Sequence, residues 1–217
     1  VASAVTLLRA EESDIKAQAE KIANQLYKKI PVIYIEDRME PVAVRLRQQI
    51  NENSKALCWH HVVPEMNHNE LVGWTEKNDD LVVLYLRNDD DYSRNVVRMD
   101  INKKIIGQYA SEIIEVYSKG SNLVEKSLYL VHLGDWISWY LAELRGVDAL
   151  EVNVIDFLKG ELAKVWVVSC ELWIVSCELW VVSCEFNTTP NGVRNPLEAG
   201  SWQLNTESWE LTADSYF

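Results

Sequence analysis

The run Leu81–Arg87, LVVLYLR, decides how this chain folds. Six apolar residues stand side by side without polar alternation, in a run too short for a packed helix. A strand with one wet face alternates apolar and polar residues. This run is therefore read as buried on both faces, the situation of an inner strand in a parallel sheet covered by helices. Three related runs surround it: PVIYI at Pro31–Ile35, ALCWHHVV at Ala56–Val63 and EIIEVY at Glu112–Tyr117.

Between these runs the apolar period becomes helical. From Glu11 to Lys29, Ile15, Ala19, Ile22, Ala23 and Leu26 recur on one face, with acids at the start and bases at the end, as the helix dipole favours. Pro31 closes that helix. A second is predicted from Pro41, suited to a first turn, through Val42, Val44, Leu46 and Ile50 to about Asn53. A third covers about Tyr92–Tyr109, with the acidic turn NDDD placed to cap it. A long apolar helix over Asn122–Arg145 and another over Val154–Lys164 complete the set. Strands alternating with helices in this way predict an α/β fold of three layers, a mostly parallel sheet flanked by helices. Ligands of such folds sit beyond the carboxyl ends of the strands, here the loops after Ile35, Val63 and Tyr117. Residues 1–30 are read as an N-terminal linker helix, 31–165 as the domain, and 166–217 as an irregular C-terminal extension.

The chain has 217 residues, 48% hydrophobic and 25% charged, enough for one sizeable core. No run of about 18 apolar residues is present, so a membrane span is not expected. A net charge of -12 opposes binding to a phosphate backbone, and nucleic acid is excluded as a partner. Cys58, Cys170, Cys177 and Cys184 match neither a zinc spacing nor a disulfide framework. With no secretory signal in the opening VASAVTLLRAEESD, a reducing cytoplasm is the expected location.

Residues 166–186 repeat a heptapeptide three times, as WVVSCEL, WIVSCEL and WVVSCEF. Three units of this length are too few and too short for a solenoid. The segment is read as a low-complexity extension, with a hydrophobic docking segment as the alternative. The tail carries seven acids against the single base Arg194, so half of the net charge says nothing about the domain.

Where the second helix stops, the residues taken alone read as a plain surface helix end. The stretch QQINENSK, Gln48–Lys55, places the single carboxylate of Glu52 among amides. His60 and His61 are neighbours in a strand, so alternation sends them to opposite faces and they do not make a shared metal site. His132 on an apolar helix reads as a packed residue, and Asp135 with Trp136, Trp139 and Tyr140 as helix packing or an interface.

The segments PVIYIEDRMEPVAVRLRQQINENSK, VVPEMNHNELVGW and HLGDWISWYLAELRGVDALEVNVIDFLKGELAKV closely resemble the C-terminal sugar isomerase (SIS) domain of bifunctional phosphoglucose/phosphomannose isomerases. The similarity covers roughly residues 11–165, in order and without large gaps. It implies an SIS-type fold and cytoplasmic isomerisation of glucose 6-phosphate and mannose 6-phosphate with fructose 6-phosphate, in glycolysis and gluconeogenesis, without metal or other cofactor. Glu52 occupies the place of the family's base, which moves a proton between C1 and C2 of the open-chain sugar. His68, in NHNE, matches a histidine that reaches into the neighbouring subunit's site, which implies a homodimer. Lys159 matches a lysine at the ring oxygen. Asn51, Asn53, Lys55 and Asn67 belong to the same motifs and are expected to bind substrate.

The family's main phosphate loop lies in a preceding SIS domain, for which no counterpart is found here. SKGSN, Ser118–Asn122, has the residue types of such a loop, whereas Glu36 and Asp37 after the first strand would repel an anion. The resemblance thus implies the catalytic-base half of an isomerase, weak or inactive without its missing N-terminal half. The alternatives are a non-catalytic SIS module for phosphosugar binding or dimerisation, and a truncated gene product.

Overall fold

Four parallel strands form one sheet in the order β2-β1-β3-β4. They are β1 (Ile30–Glu36), β2 (Trp59–Val63), β3 (Asn78–Arg87) and β4 (Ala110–Tyr117). The decisive run lies in β3, hydrogen-bonded between β1 and β4, with Ile30 opposite Leu81 and Ile35 opposite Leu86. The computed structural model describes residues 1–165; the heptapeptide repeat and the rest of the expected extension lie outside the described residues. The chain divides into two units, Val1–Asn153 and Val154–Phe217.

Alternation along the strands supplies two cores. Ile33, Ile35, Val82, Leu84 and Leu86 point to one face, where α2 (Glu12–Leu26), α3 (Glu40–Asn53) and α5 (Leu123–Arg145) cover them. Val32, Tyr34, Val83 and Tyr85 point to the other, against Met99 and Ile106 of α4 (Ser93–Ile106). The expected three layers are present. Helix α5 is apolar over much of its surface because it packs on both α2 and α3. Its Gly134 lies against Leu46 of α3, where an added Cβ would meet the leucine Cδ1 at 3.1 Å. The N-cap of α5 is Asn122, whose side chain accepts from the Glu125 amide, and its C-terminus closes on Gly146 at φ 65.

Two sequence expectations change here. Residues 1–30, read as a linker helix, form α1 (Ala2–Ala10) and α2, and both pack on α5. Ile15, Ala19, Ala23 and Leu26 of α2 are completely buried in the core, so the boundary expected at residue 31 falls inside a packed layer. The acidic turn does not cap α4. Asp91 instead accepts from the Asn88 backbone at 2.9 Å, and the Tyr92 amide is taken by Glu36 Oε1 at 2.9 Å. A carboxylate from β1, 56 residues away, wins that place because the strand end and the helix start are packed together.

Charged ties are of two kinds. Arg87, nearly inaccessible, donates to Asp100 at 2.8 Å and Glu115 at 2.7 Å, joining β3, β4 and α4. Burial would raise the Glu115 carboxyl, but hydrogen bonds from Lys103 and Arg87 outweigh it and hold the group below its ordinary value. Arg45 and Asp135 join α3 to α5 by paired bonds of 3.1 and 2.9 Å, both partners open to solvent. Asp135 therefore does serve helix packing. Asp135→Ala is expected to cost no more than about 1 kcal/mol in urea denaturation, because exposed ion pairs contribute little.

Candidate active site

Glu52 sits in the last turn of α3, on a helix end fixed by its neighbours. The buried Ser54 hydroxyl donates to the Ser138 carbonyl at 2.7 Å, and Asn53 Nδ2 donates to Ser138 Oγ at 3.0 Å and Gln49 Oε1 at 2.7 Å. Lys55 turns the chain in the left-handed region, φ 52, while its Nζ caps the Glu52 carbonyl at 2.6 Å. Arg145, at the end of α5, donates to the Lys55 carbonyl at 3.1 Å. Asn53, Ser54 and Lys55 are thus committed to structure, and Asn51 and Glu52 face solvent. The Glu52 carboxylate has no hydrogen-bond partner among the described residues, and this unit by itself does not enclose it in a cleft.

His68 ends a short 3-10 turn, Glu65–His68, after β2, and is exposed. Its neighbours are held firmly. Met66 is completely buried, and Asn67 Nδ2 donates to Asn102 Oδ1 of α4 at 2.7 Å, so the Asn67 amide expected to bind substrate serves the loop. On the far side, Glu70 accepts from the Tyr34 hydroxyl at 2.5 Å and meets His61 Nδ1 at 2.7 Å. Trp74 Nε1 donates to the Tyr34 oxygen at 3.1 Å. His60 lies on the opposite face, 3.5 Å from Glu40 of α3, as alternation requires.

Topology separates the two motifs. Helix α3 runs back to the start of β2, whereas His68 follows the end of that strand. Five strand residues span roughly 13 Å between Trp59 and Val63, so Glu52 and His68 flank opposite ends of the sheet. His68 lies beyond the carboxyl ends of the strands, whereas Glu52 lies at the other end, because its motif closes a helix antiparallel to the strand. Lys159 lies in the other unit, on an exposed helical segment over 153–165.

The carboxyl ends of the strands carry features that the sequence left ambiguous. In the SKGSN turn the Ser121 amide is taken by the Glu125 carboxylate at 2.7 Å. That bond, first among several, holds Glu125 below its ordinary range. An internal carboxylate thus occupies the amide an incoming phosphate would need. Because the folded chain prefers the ionised form, Glu125 stabilises above the ordinary glutamate range, and this contribution is lost as pH falls below about 4. Glu125→Gln is expected to flatten the acid limb of a thermal-stability profile over that range. Glu36, read as repelling anions, is buried and accepts from Arg38 Nε at 2.9 Å. Beside it, Arg38, Arg94 and Arg98 share a cleft of about 600 Å³ with Asp37 and Asp90.

The remaining candidates follow a structural reading. His132 is half-buried, within 3.4 Å of Trp136 Nε1, and Trp136 meets Trp139 edge-to-face at 5.6 Å. Cys58 is buried and its thiol is pushed up to about 12 by desolvation. The Glu70 network escaped the sequence reading. Its signal was the glutamate closing the NHNE motif, but Tyr34 and Trp74 come from 36 residues before and four after.

Comparison with known proteins agrees with this architecture. Residues 15–162 match the bacterial phospho-glucose isomerase C-terminal SIS domain. A bifunctional phosphoglucose/phosphomannose isomerase of Aquifex aeolicus is 39% identical over 159 residues, which cover 72% of this chain and 50% of the relative. One of Caldicellulosiruptor bescii is 38% identical over 160 residues, 71% of this chain and 47% of the relative. The chain thus spans about half the length of these curated relatives. In fold, a glucose-6-phosphate isomerase like protein of Thermus thermophilus superposes with a TM-score of 0.50 at 22% identity, over 60% of this chain and 44% of that one. By the family match and by these relatives, the chain belongs to the bacterial phosphoglucose isomerase C-terminal SIS domain family.

Proposed function

We propose that this chain is the catalytic-base half of an aldose-ketose isomerase of phosphorylated hexoses, interconverting glucose 6-phosphate and mannose 6-phosphate with fructose 6-phosphate. The observation that carries the reading is the motif end of α3: the side chains of Asn53, Ser54 and Lys55 bond to groups other than the Glu52 carboxylate, which has no hydrogen-bond partner among the described residues. Such a group can remove the proton from C2 of the open-chain aldose and return it to C1 of the enediol, giving the ketose. A single carboxylate over two adjacent carbons suffices for that transfer.

His68 is assigned to proton handling at the sugar oxygens, for which an imidazole is suited near neutrality. Since Glu52 and His68 flank opposite ends of one sheet, they meet only if two copies contribute, and a homodimer with shared sites follows from the reading. Lys159 is assigned to the ring oxygen, with Asn51 beside the base. The cytoplasm and hexose phosphate metabolism are the corresponding setting.

The phosphate seat is assigned to the other half of the curated relatives, since the local candidate is filled by Glu125. A coupled assay tests the proposal. The purified chain alone is expected to show little turnover, and adding the phosphate-binding domain of a relative should restore it. Substantial turnover by the chain alone would overturn the half-site reading. A non-catalytic SIS module is the second reading, favoured by the exposure of Glu52 and His68 in a single chain. It predicts phosphosugar binding without turnover in the combined system.

A further inference from the structure

We infer that Glu70 is a positioning residue that fixes His68 for proton handling; the inference rests on the role proposed for His68. The segment from Pro64 to Trp74 contains only two turns of 3-10 helix, four residues each, and has no ladder of its own. A segment so built holds a side chain still only if it is tied on both sides of that side chain. Before His68 the ties are the buried Met66 and the Asn67–Asn102 bond.

After His68, Asn69 Nδ2 donates to Glu65 at 3.2 Å and Leu71 and Trp74 pack on the second core, but the bonds to the strands centre on Glu70, two residues on. Its amide donates to Asn69 Oδ1 at 2.5 Å, and its two carboxylate oxygens are divided between Tyr34 at 2.5 Å and His61 at 2.7 Å. Those partners come from different strands, so one side chain pins the turn to both β1 and β2. Tyr34 is itself immobile, completely buried with its ring 5.4 Å from that of Tyr85. Desolvation, and then the adjacent Glu70, push its hydroxyl well above the ordinary tyrosine range, so it remains a donor throughout the working pH range.

An apolar side chain at position 70 would leave the buried Tyr34 hydroxyl without its acceptor. The Glu70 carboxylate is also placed where any rotation of the turn carries His68 with it. A displacement of about 1 Å at a proton-transferring group is enough to lower turnover on the order of a hundredfold.

The test compares Glu70→Ala, Glu70→Gln and Tyr34→Phe with the parent chain. Turnover is measured in the combined system, while hydrogen exchange over residues 64–74 and the His68 imidazole NMR resonance are measured on the chain alone. Glu70→Ala is expected to lower kcat about 10- to 100-fold with KM within about twofold. It should also release exchange in that segment and shift the His68 resonance. Glu70→Gln, whose amide still accepts from Tyr34, should keep most of the parent kcat, and Tyr34→Phe should fall between the two. Unchanged exchange and an unshifted His68 resonance in Glu70→Ala would overturn the inference, as would equal loss in Gln and Ala variants. If the parent system itself does not turn over, the isomerase reading fails. The exchange and His68 measurements still decide whether Glu70 holds the loop.

Discussion

Glu52→Gln is expected to lower isomerisation by about a thousandfold in the combined system and to leave the fold unchanged. The size follows from the proposed step. An amide of the same shape cannot accept the C2 proton, and among the described residues no neighbouring carboxylate is bonded to the helix end to take its place. The harmlessness follows from the structure. Glu52 is exposed, its carboxylate has no hydrogen-bond partner among the described residues, and its loss leaves no buried group unsatisfied. A substitution of that kind stays within about 0.5 kcal/mol of the parent stability. Turnover measured beside a urea melt separates the two effects. Retained activity would remove Glu52 from the mechanism, whereas a large loss of stability would show that the helix end depends on it.

Leu133→Ala is expected to be among the most destabilising single truncations in the α5 layer. Leu133 is 1% exposed and lies in the core that α5 builds with α2 and α3. Neighbouring Gly134 already brings α3 to van der Waals contact, so the helices cannot close further over the lost side chain. Losing the buried isopropyl group and leaving a cavity costs about 2–5 kcal/mol. For a domain of this size that corresponds to a fall in Tm of roughly 10 °C. Thermal unfolding followed by circular dichroism checks it; a fall of less than about 3 °C would mean that the layer collapses onto the cavity after all. The contrast with Asp135→Ala, two residues away on the same helix, compares burial directly with an exposed ion pair.

The sheet was legible because its strands carry their environment in their composition. LVVLYLR has no polar residue before Arg87, and only burial on both faces explains that in seven residues. The α3 and α5 boundaries were legible for a similar local reason, since Pro41, Asn122 and Gly146 mark helix ends through their own backbone chemistry. Other assignments failed where a distant partner displaced the local one. NDDD has the composition of a cap, yet Glu36 reaches the Tyr92 amide first. SKGSN has the composition of a phosphate cradle, yet Glu125 fills it.

By itself, then, the sequence determined the α/β class, the parallel sheet and most helix limits, which depend on residue type and on periods of two and nearly four, local properties. The candidate base and imidazole at positions 52 and 68 came instead from its resemblance to a known family. Only the tertiary structure decided that residues 1–30 belong to the core, that Asn53 and Ser54 are fastened to Ser138, and that Glu70 ties two strands to the His68 turn. It also decided that Glu52 and His68 stand at opposite ends of the sheet. Each of these is a relation between groups brought together by packing, and the spacing of residues along the chain carries no measure of it.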